Sequence, residues 1–191
     1  MLLCYSIIPI FVQKSMPHLN VEIKASCHQP DAIRKILQEH HACFVGTDHQ
    51  IDTYFEVPKG RLKLREGNIE NHLIHYQRDN QSGPKTSAVN LYPSTPGSSL
   101  KATLSQALEI MVVVDKQREI YFINNVKFHL DTVKGLGSFV EIEAIDAEGN
   151  IGKEMLFQQC SHYLKLFKIK EEDLIAASYS DMLRNPDCPS T

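Results

Sequence analysis

Residues 60–66 read Gly-Arg-Leu-Lys-Leu-Arg-Glu, and this run constrains the chain more than any other. In a strand, residues two apart share a face, so Arg61, Lys63 and Arg65 point together while Leu62 and Leu64 point the other way. The same arithmetic groups Asn20, Glu22 and Lys24; Tyr76 and Arg78; Lys116 and Arg118; Lys127, His129 and Asp131; and Glu141 with Glu143. A sheet with one solvated face explains any single strand of this kind. Three like charges in a row repel one another, which a face made only for solubility avoids. If helices cover the apolar face, the charged face becomes the interior. A lumen lined by Arg and Lys calls for an anion, and Glu pairs at its rim call for a metal. A polyphosphate carrying Mg²⁺ answers both demands.

The remaining patterning supplies the walls. Alternation predicts strands over 19–27, 49–57, 60–66, 70–79, 86–92, 109–117, 118–124, 125–133 and 138–146. Pro58-Lys59-Gly60, residues 79–84, Asn124-Asn125 and Lys134 to Gly137 are the turns. Helical periodicity marks 30–42, 98–108, 152–167 and 171–183. The fold class that follows is α+β: a closed or nearly closed antiparallel β-barrel of about eight strands with flanking helices. Domain organisation is one unit over 16–184, with residues 1–15 a leader or non-native extension, the natural start at Met16, and 185–191 a frayed tail.

Composition removes several function classes. The net charge of −3 argues against broad binding to nucleic acid or to an anionic membrane. Five scattered cysteines with no C-x-x-C pair read as free thiols in a reducing, cytoplasmic compartment. His40, His41 and His49 lack a companion at zinc spacing. There is no G-x-x-x-x-G-K-[ST] loop, and Gly135-Leu136-Gly137 does not continue as G-x-G-x-x-G. No Ser-His-Asp or Cys-His arrangement points to covalent catalysis.

Five stretches together resemble the CYTH superfamily, the triphosphate tunnel enzymes that include bacterial class IV adenylyl cyclases and thiamine triphosphatases. They are Asn20-x-Glu22-x-Lys24; Gln50-x-Asp52-x-Tyr54-Phe55; Gly60 to Arg65; Lys116-x-Arg118; and His129-Leu130-Asp131-x-Val133-x-Gly135-Leu136-Gly137-x-Phe139-x-Glu141-x-Glu143. The resemblance spans roughly residues 18–180 and is specific through order and spacing. Its flavour is that of the cyclase branch. One departure stands out: the family's opening E-x-E-x-K has Asn20 in place of its first Glu, which removes a negative charge from the implied metal site.

The resemblance implies conversion of ATP to cyclic AMP and pyrophosphate, with hydrolysis of tripolyphosphate or thiamine triphosphate, or non-catalytic polyphosphate binding, as the alternatives. It implies Mg²⁺ or Mn²⁺ held by Glu22, Glu141 and Glu143, with Asp131 as a further ligand or as an orienter of cations. Glu22, Lys24, Lys116 and Arg118 carry the catalytic roles. Lys63, Arg65 and Arg78 clamp phosphate oxygens; Arg61 lies at a tunnel mouth or outside, and Lys127 at the far end. His129 reads as a packed strand histidine, and Tyr54 and Tyr121 as core or purine-contact aromatics. The apolar faces of the last helices, such as Leu156, Tyr163, Leu164 and Phe167, either cover the barrel or pair two copies as a homodimer.

Overall fold

The computed structural model describes residues 18–77 and 83–185. The expected leader, Arg78, part of the 79–84 turn and most of the expected tail lie outside them. Eight strands form one closed antiparallel ring: β1 (His18–Ser26), β2 (Cys43–Phe55), β3 (Arg61–Glu66), β4 (His72–Gln77), β5 (Lys85–Pro93), β6 (Ile110–Ile123), β7 (Val126–Val133) and β8 (Gly137–Asp146). Their order around the barrel is β1-β5-β4-β3-β2-β6-β7-β8. Four helices are inserted between or after them: α1 (Pro30–Glu39), α2 (Leu100–Ala107), α3 (Lys153–Leu166) and α4 (Tyr179–Arg184).

Local chemistry sets most of the boundaries. Pro30 opens α1 at its first turn, where a missing N–H costs nothing. The helix stops three residues before the expected Ala42, and His41 takes a left-handed φ of 55° as the chain enters β2. That strand begins six residues earlier than the sequence pattern suggests, because a bulge between Phe44 and Gly46 breaks its alternation. The segments 109–117 and 118–124 are one continuous strand, β6, paired along its length with β2 and β7. Asn124-Asn125 does make the β6–β7 turn, with Asn124 at φ 52°. Gly60 turns at φ 67°, where a Cβ would sit 2.7 Å from the Tyr76 carbonyl oxygen, so only glycine lets β3 start beside β4.

The expected helix over 171–183 is not one helix. A single 3₁₀ turn spans Glu171–Asp173, Leu174 then bridges to Ala25 of β1, and the Ile175 N–H donates to the Lys24 carbonyl. Helix α4 starts only at Tyr179, after Ser178 caps it by accepting from the Asp181 N–H. Two further backbone acceptors in this stretch, the carbonyls of Ile175 and Ala176, take hydrogen bonds from Lys85. An extended strip serves those partners, and a helix could not.

The main hydrophobic cluster lies outside the barrel. Val21, Ile23 and Ala25 of β1, Phe128 and Leu130 of β7, and Ile142 and Ala144 of β8 pack against Ile33 and Leu37 of α1 and Leu156 and Cys160 of α3. Tyr163, Leu164 and Phe167 join the same cluster, so the apolar face of the last long helix is spent on the barrel wall. A second cluster, with Tyr54, Tyr76, Val114, Phe139, Ile175 and Tyr179, closes one end of the barrel. Because helices cover the oily side of β1, β7 and β8, the other side of those strands has only the lumen to face. No described helix is long and apolar enough to cross a membrane, and Cys27, Cys43 and Cys160 are free thiols.

Phe128 is fully buried in this outer cluster, edge-on to Tyr163 at 4.7 Å and to Phe167 at 5.6 Å. Phe128→Ala should cost about 3–5 kcal/mol in urea denaturation, as expected for an aromatic cavity in a core. A loss under about 1 kcal/mol would mean that the helices are not what holds the wall.

Candidate functional site

Strand register brings the charged residues together inside the ring. Asp52 faces Arg65 across β2–β3, Arg118 faces Asp131 across β6–β7, and Lys24 faces Glu141 across β1–β8. Lys24, Arg65, Lys116 and Arg118 are all at most 8% exposed, although each is charged. The sequence reading therefore has the polarity right: the cations point inward.

Four carboxylates organise them. Asp52 accepts from Lys63 at 2.8 Å, from Lys116 at 2.8 Å, and from Arg65 at 2.8 and 3.0 Å as a two-pronged fork. Arg65 also donates to Glu70 at 2.9 Å, and Glu70 accepts from Gln50 and from Lys127. On the opposite wall, Arg118 donates to Asp131 through two nitrogens and to Glu141 at 2.7 Å. Glu141 also holds Lys24 at 3.3 Å and the His129 Nδ1 at 3.3 Å. The lysines and arginines thus have acids interleaved from neighbouring strands. The anion that sequence reasoning demanded from outside is supplied in part by the protein itself.

Burial disfavours every one of these charges, and the outcome depends on the neighbours. For Asp52 the desolvation is outweighed by Arg65, Lys116 and Lys63, which hold its carboxyl well below the usual range. Glu70 is likewise depressed by Lys127 and Arg65, and Glu141 by Arg118 and Lys24, in each case against burial. Lys116 goes the other way: burial, with Arg65, Arg118 and Lys63 close by, brings it down to about 7 despite Asp52. Lys24 is lowered mainly by burial, and so is His129.

The remaining expected residues sit as follows. Arg61 is at the end closed by α4, where it donates to Asp181 at 2.7 Å. Lys127 lies beyond Arg65, on Glu70. Glu143 accepts from the Asn20 amide, and Glu22 stands directly opposite Glu143 in the β1–β8 register. Tyr54 is inside and Tyr121 outside, its hydroxyl on Glu119. Four participants were given no role from sequence, although Asp52 lies in the Gln50-x-Asp52-x-Tyr54-Phe55 stretch. Asp52 could have been: Asp48, Gln50 and Asp52 share a face at the same period of two. Glu70 lies in a turn, Lys85 at the head of a strand, and Tyr179, whose hydroxyl donates to Asp131 at 2.8 Å, opens a helix placed wrongly from sequence. Glu70 heads the run in which Tyr76 and Arg78 share a face at a period of two, whereas Lys85 and Tyr179 had no periodic signal.

The expected metal ligands are partly engaged by other side chains. Among the described residues no three His, Cys, Asp or Glu side chains are grouped to hold an ion. Both Asp131 oxygens are taken by Arg118 and Tyr179, which holds the Arg118 guanidinium in place. Glu141 is committed to Lys24, Arg118 and His129. What fits a hard cation is narrower: Glu22 and Glu143 face each other, and the buried Asn20 Oδ1 beside them has no hydrogen-bond partner. These are all oxygen donors at one place on adjacent strands.

The depressed acids set a pH dependence. A carboxylate with a lowered folded pKa stabilises fully above its unfolded value, here 3.8 for Asp52 and 4.5 for Glu70 and Glu141. That contribution is lost as pH falls through the folded values. Thermal unfolding should therefore show Tm steady down to about pH 5 and falling steeply below about pH 4, with the fall shallower in Glu70→Gln. An acid limb unchanged in that variant would contradict the pairing described.

The CYTH domain model matches residues 18–179. No curated protein matches the sequence significantly. Among solved structures, PH1012 from Pyrococcus horikoshii OT3 superposes with a TM-score of 0.64 at 24% identity, over 85% of this chain and 98% of its own. A Vibrio parahaemolyticus protein described as a "putative adenylate cyclase" gives 0.68 at 17%, over 88% and 99%. The Hippeastrum protein HpAC1, described as a "putative adenylyl cyclase" with a dominant triphosphatase activity, gives 0.57 at 16%, over 89% and 97%. At these identities the structures speak for the fold alone, while the family model covers most of the chain and the five motifs fall within it. The chain belongs to the CYTH domain family.

Proposed function

We propose that this protein binds a triphosphate in its barrel and turns it over with a divalent cation, in the manner of a class IV adenylyl cyclase: ATP to cyclic AMP and pyrophosphate. The observation that carries the reading is the inward convergence of Lys24, Lys63, Arg65, Lys116, Arg118 and Lys127 from four different strands. Arg61 marks the closed end of this array, and Arg78, outside the described residues, extends it by sequence. Buried cations in such number are costly to a fold and are no route to stability, which favours a ligand-binding purpose. The expected setting is the reducing cytoplasm, in keeping with the free thiols. The overall charge of −3 leaves nucleic acid and membrane surfaces out of the partner list.

In this reading the ATP 3′-hydroxyl oxygen attacks the α-phosphorus, its proton passes to water, and the bond from that phosphorus to the bridging oxygen breaks as pyrophosphate leaves. Arg65 and Arg118 present forks to phosphate oxygens, and Lys24, Lys63 and Lys116 act as point charges, all fixed before charge shifts onto the leaving group. Asp131, by locking Arg118, keeps that fork aimed. Glu22, Glu143 and the Asn20 Oδ1 would hold Mg²⁺ or Mn²⁺, with Glu141 joining once it lets go of a cation. The metal would supply Lewis-acid neutralisation of phosphate charge. Hydrolysis of tripolyphosphate or another triphosphate by the same clamp is the second reading. It is favoured by the fold shared with a protein described as having dominant triphosphatase activity.

Pure protein incubated with Mg²⁺ or Mn²⁺ and ATP, tripolyphosphate or thiamine triphosphate tests this. Cyclic AMP with pyrophosphate supports the cyclase, orthophosphate the hydrolase, and no product from any of the three defeats both. Lys116→Met should lower kcat/KM by roughly 10²–10³-fold, the usual cost of one well-placed electrostatic donor. The variant should still fold, because Asp52 keeps Lys63 and Arg65. Asn20→Glu restores a third carboxylate beside Glu22 and Glu143. It should lower the Mg²⁺ concentration giving half-maximal rate, and an unchanged metal titration would remove Asn20 from the site.

A further inference from the structure

Hydrogen bonds around Asp52 do not balance. Its Oδ2 takes Lys63, Lys116 and an Arg65 nitrogen, which is more donors than a carboxylate oxygen has lone pairs, while Oδ1 takes the Arg65 Nε. An ammonium has three N–H donors. Among the described residues Lys116 uses one, on Asp52, and Lys63 uses one on Asp52 while its charge also lies 5.3 Å from the Tyr54 ring. Lys116 is 2% exposed, so water does not make up the difference. One negative charge faces three positive ones, with only Arg65 sharing a second acid, Glu70. The cluster is short of both acceptors and charge.

A phosphate group has what is missing: more oxygens and more negative charge than a carboxylate, at similar hydrogen-bond distances. We propose that Asp52 is a built-in surrogate for a phosphate group, a positioning residue that holds Lys63, Arg65 and Lys116 converged and yields them to the bound polyanion. This rests on the triphosphate reading and adds to it an internal competitor. Asp52 keeps the cations from repelling one another apart while the site waits, and its charge opposes the incoming phosphate. Affinity is thereby traded for a clamp already in shape. The charge on Lys116 follows. The groups facing it are Asp52, Lys63, Arg65 and Arg118, and burial among them leaves it near its midpoint at about 7. Phosphate oxygens supplied to its spare donors bring a proton with them.

The test uses the full chain, with tripolyphosphate as probe and no metal, read by calorimetry. Asp52→Asn keeps the shape and removes the charge. It should lower Tm without ligand and bind tripolyphosphate about tenfold or more tightly than wild type, since an anion a few ångströms away no longer opposes it. Asp52→Glu should return affinity toward wild type. With ATP and metal, Asp52→Asn should lower KM and kcat together, a split that simple structural damage would not give. A second measurement does not depend on that variant folding. At about pH 8, wild-type binding compared in two buffers of different ionisation enthalpy should show roughly one more proton taken up than Lys116→Met shows. Wild-type binding with neither tightening in Asp52→Asn nor extra proton uptake overturns the surrogate role alone. No wild-type binding at all removes the triphosphate reading, and this proposal with it.

Discussion

Everything inside this barrel follows from what covers its outside. Val21, Ile23, Phe128, Val140 and Ile142 are at most 1% exposed, and they lie on the faces turned toward α1 and α3. Each contributes roughly 1.5–3 kcal/mol by leaving water. A one-residue slip in any of these strands would exchange the two faces, placing charge under the helices and oil in the lumen. Register is therefore strongly fixed, and the same force that fixes it pushes Lys24, Arg118, His129 and Glu141 inward. The hydrophobic effect acts on one side of the strand, and the electrostatic problem appears on the other.

The solution to that problem is a pair of bridged chains on facing walls. Arg65 joins Asp52 to Glu70, and Arg118 joins Asp131 to Glu141. Arginine suits both places: its planar fork serves two carboxylates at once and does not lose its charge, whereas a buried lysine can. Lys116, at about 7, shows the contrast within one cluster. Breaking such a network at one member leaves its partners charged and dry, so its parts stand or fall together. For stability alone an apolar core would serve as well or better, and the retained charges need a reason in chemistry.

Much of this could be read before any coordinates, because a period of two is a strong signal. It placed the strands, separated their faces and gathered Lys24, Lys63, Arg65, Lys116, Arg118 and Lys127 into one lumen. It could not say how the charges pair, since pairing depends on which strands become neighbours. Asp52 meets Lys63 and Arg65 only because β2 lies beside β3, and Lys116 because β6 lies on its other side. That blindness to neighbours is why the lumen looked like a surplus of positive charge and turned out mostly answered. The partners of two expected metal ligands were hidden for the same reason: Asp131 and Glu141 have the right chemistry for an ion, and arginine and lysine reach them in the structure.

The C-terminal strip was the hardest part to foresee, and it shows that lumen cations have two kinds of partner. Lys85 donates to the Ile175 and Ala176 carbonyls, and Lys24 reaches the Ala177 carbonyl at 3.4 Å with its charge 3.8 Å from the Tyr179 ring centre. Those backbone and aromatic partners are neutral, so they satisfy donors without cancelling charge; for Lys24 the charge is met by Glu141 at 3.3 Å. Asp52, Glu70 and Glu141 do cancel it. An arriving phosphate thus meets Lys24 paired with Glu141 and a central group, Lys63, Arg65 and Lys116, bound to Asp52. A chain with a net charge of −3 can in this way hold a local field that selects anions, because the choice is made by which partners are charged and which are merely polar.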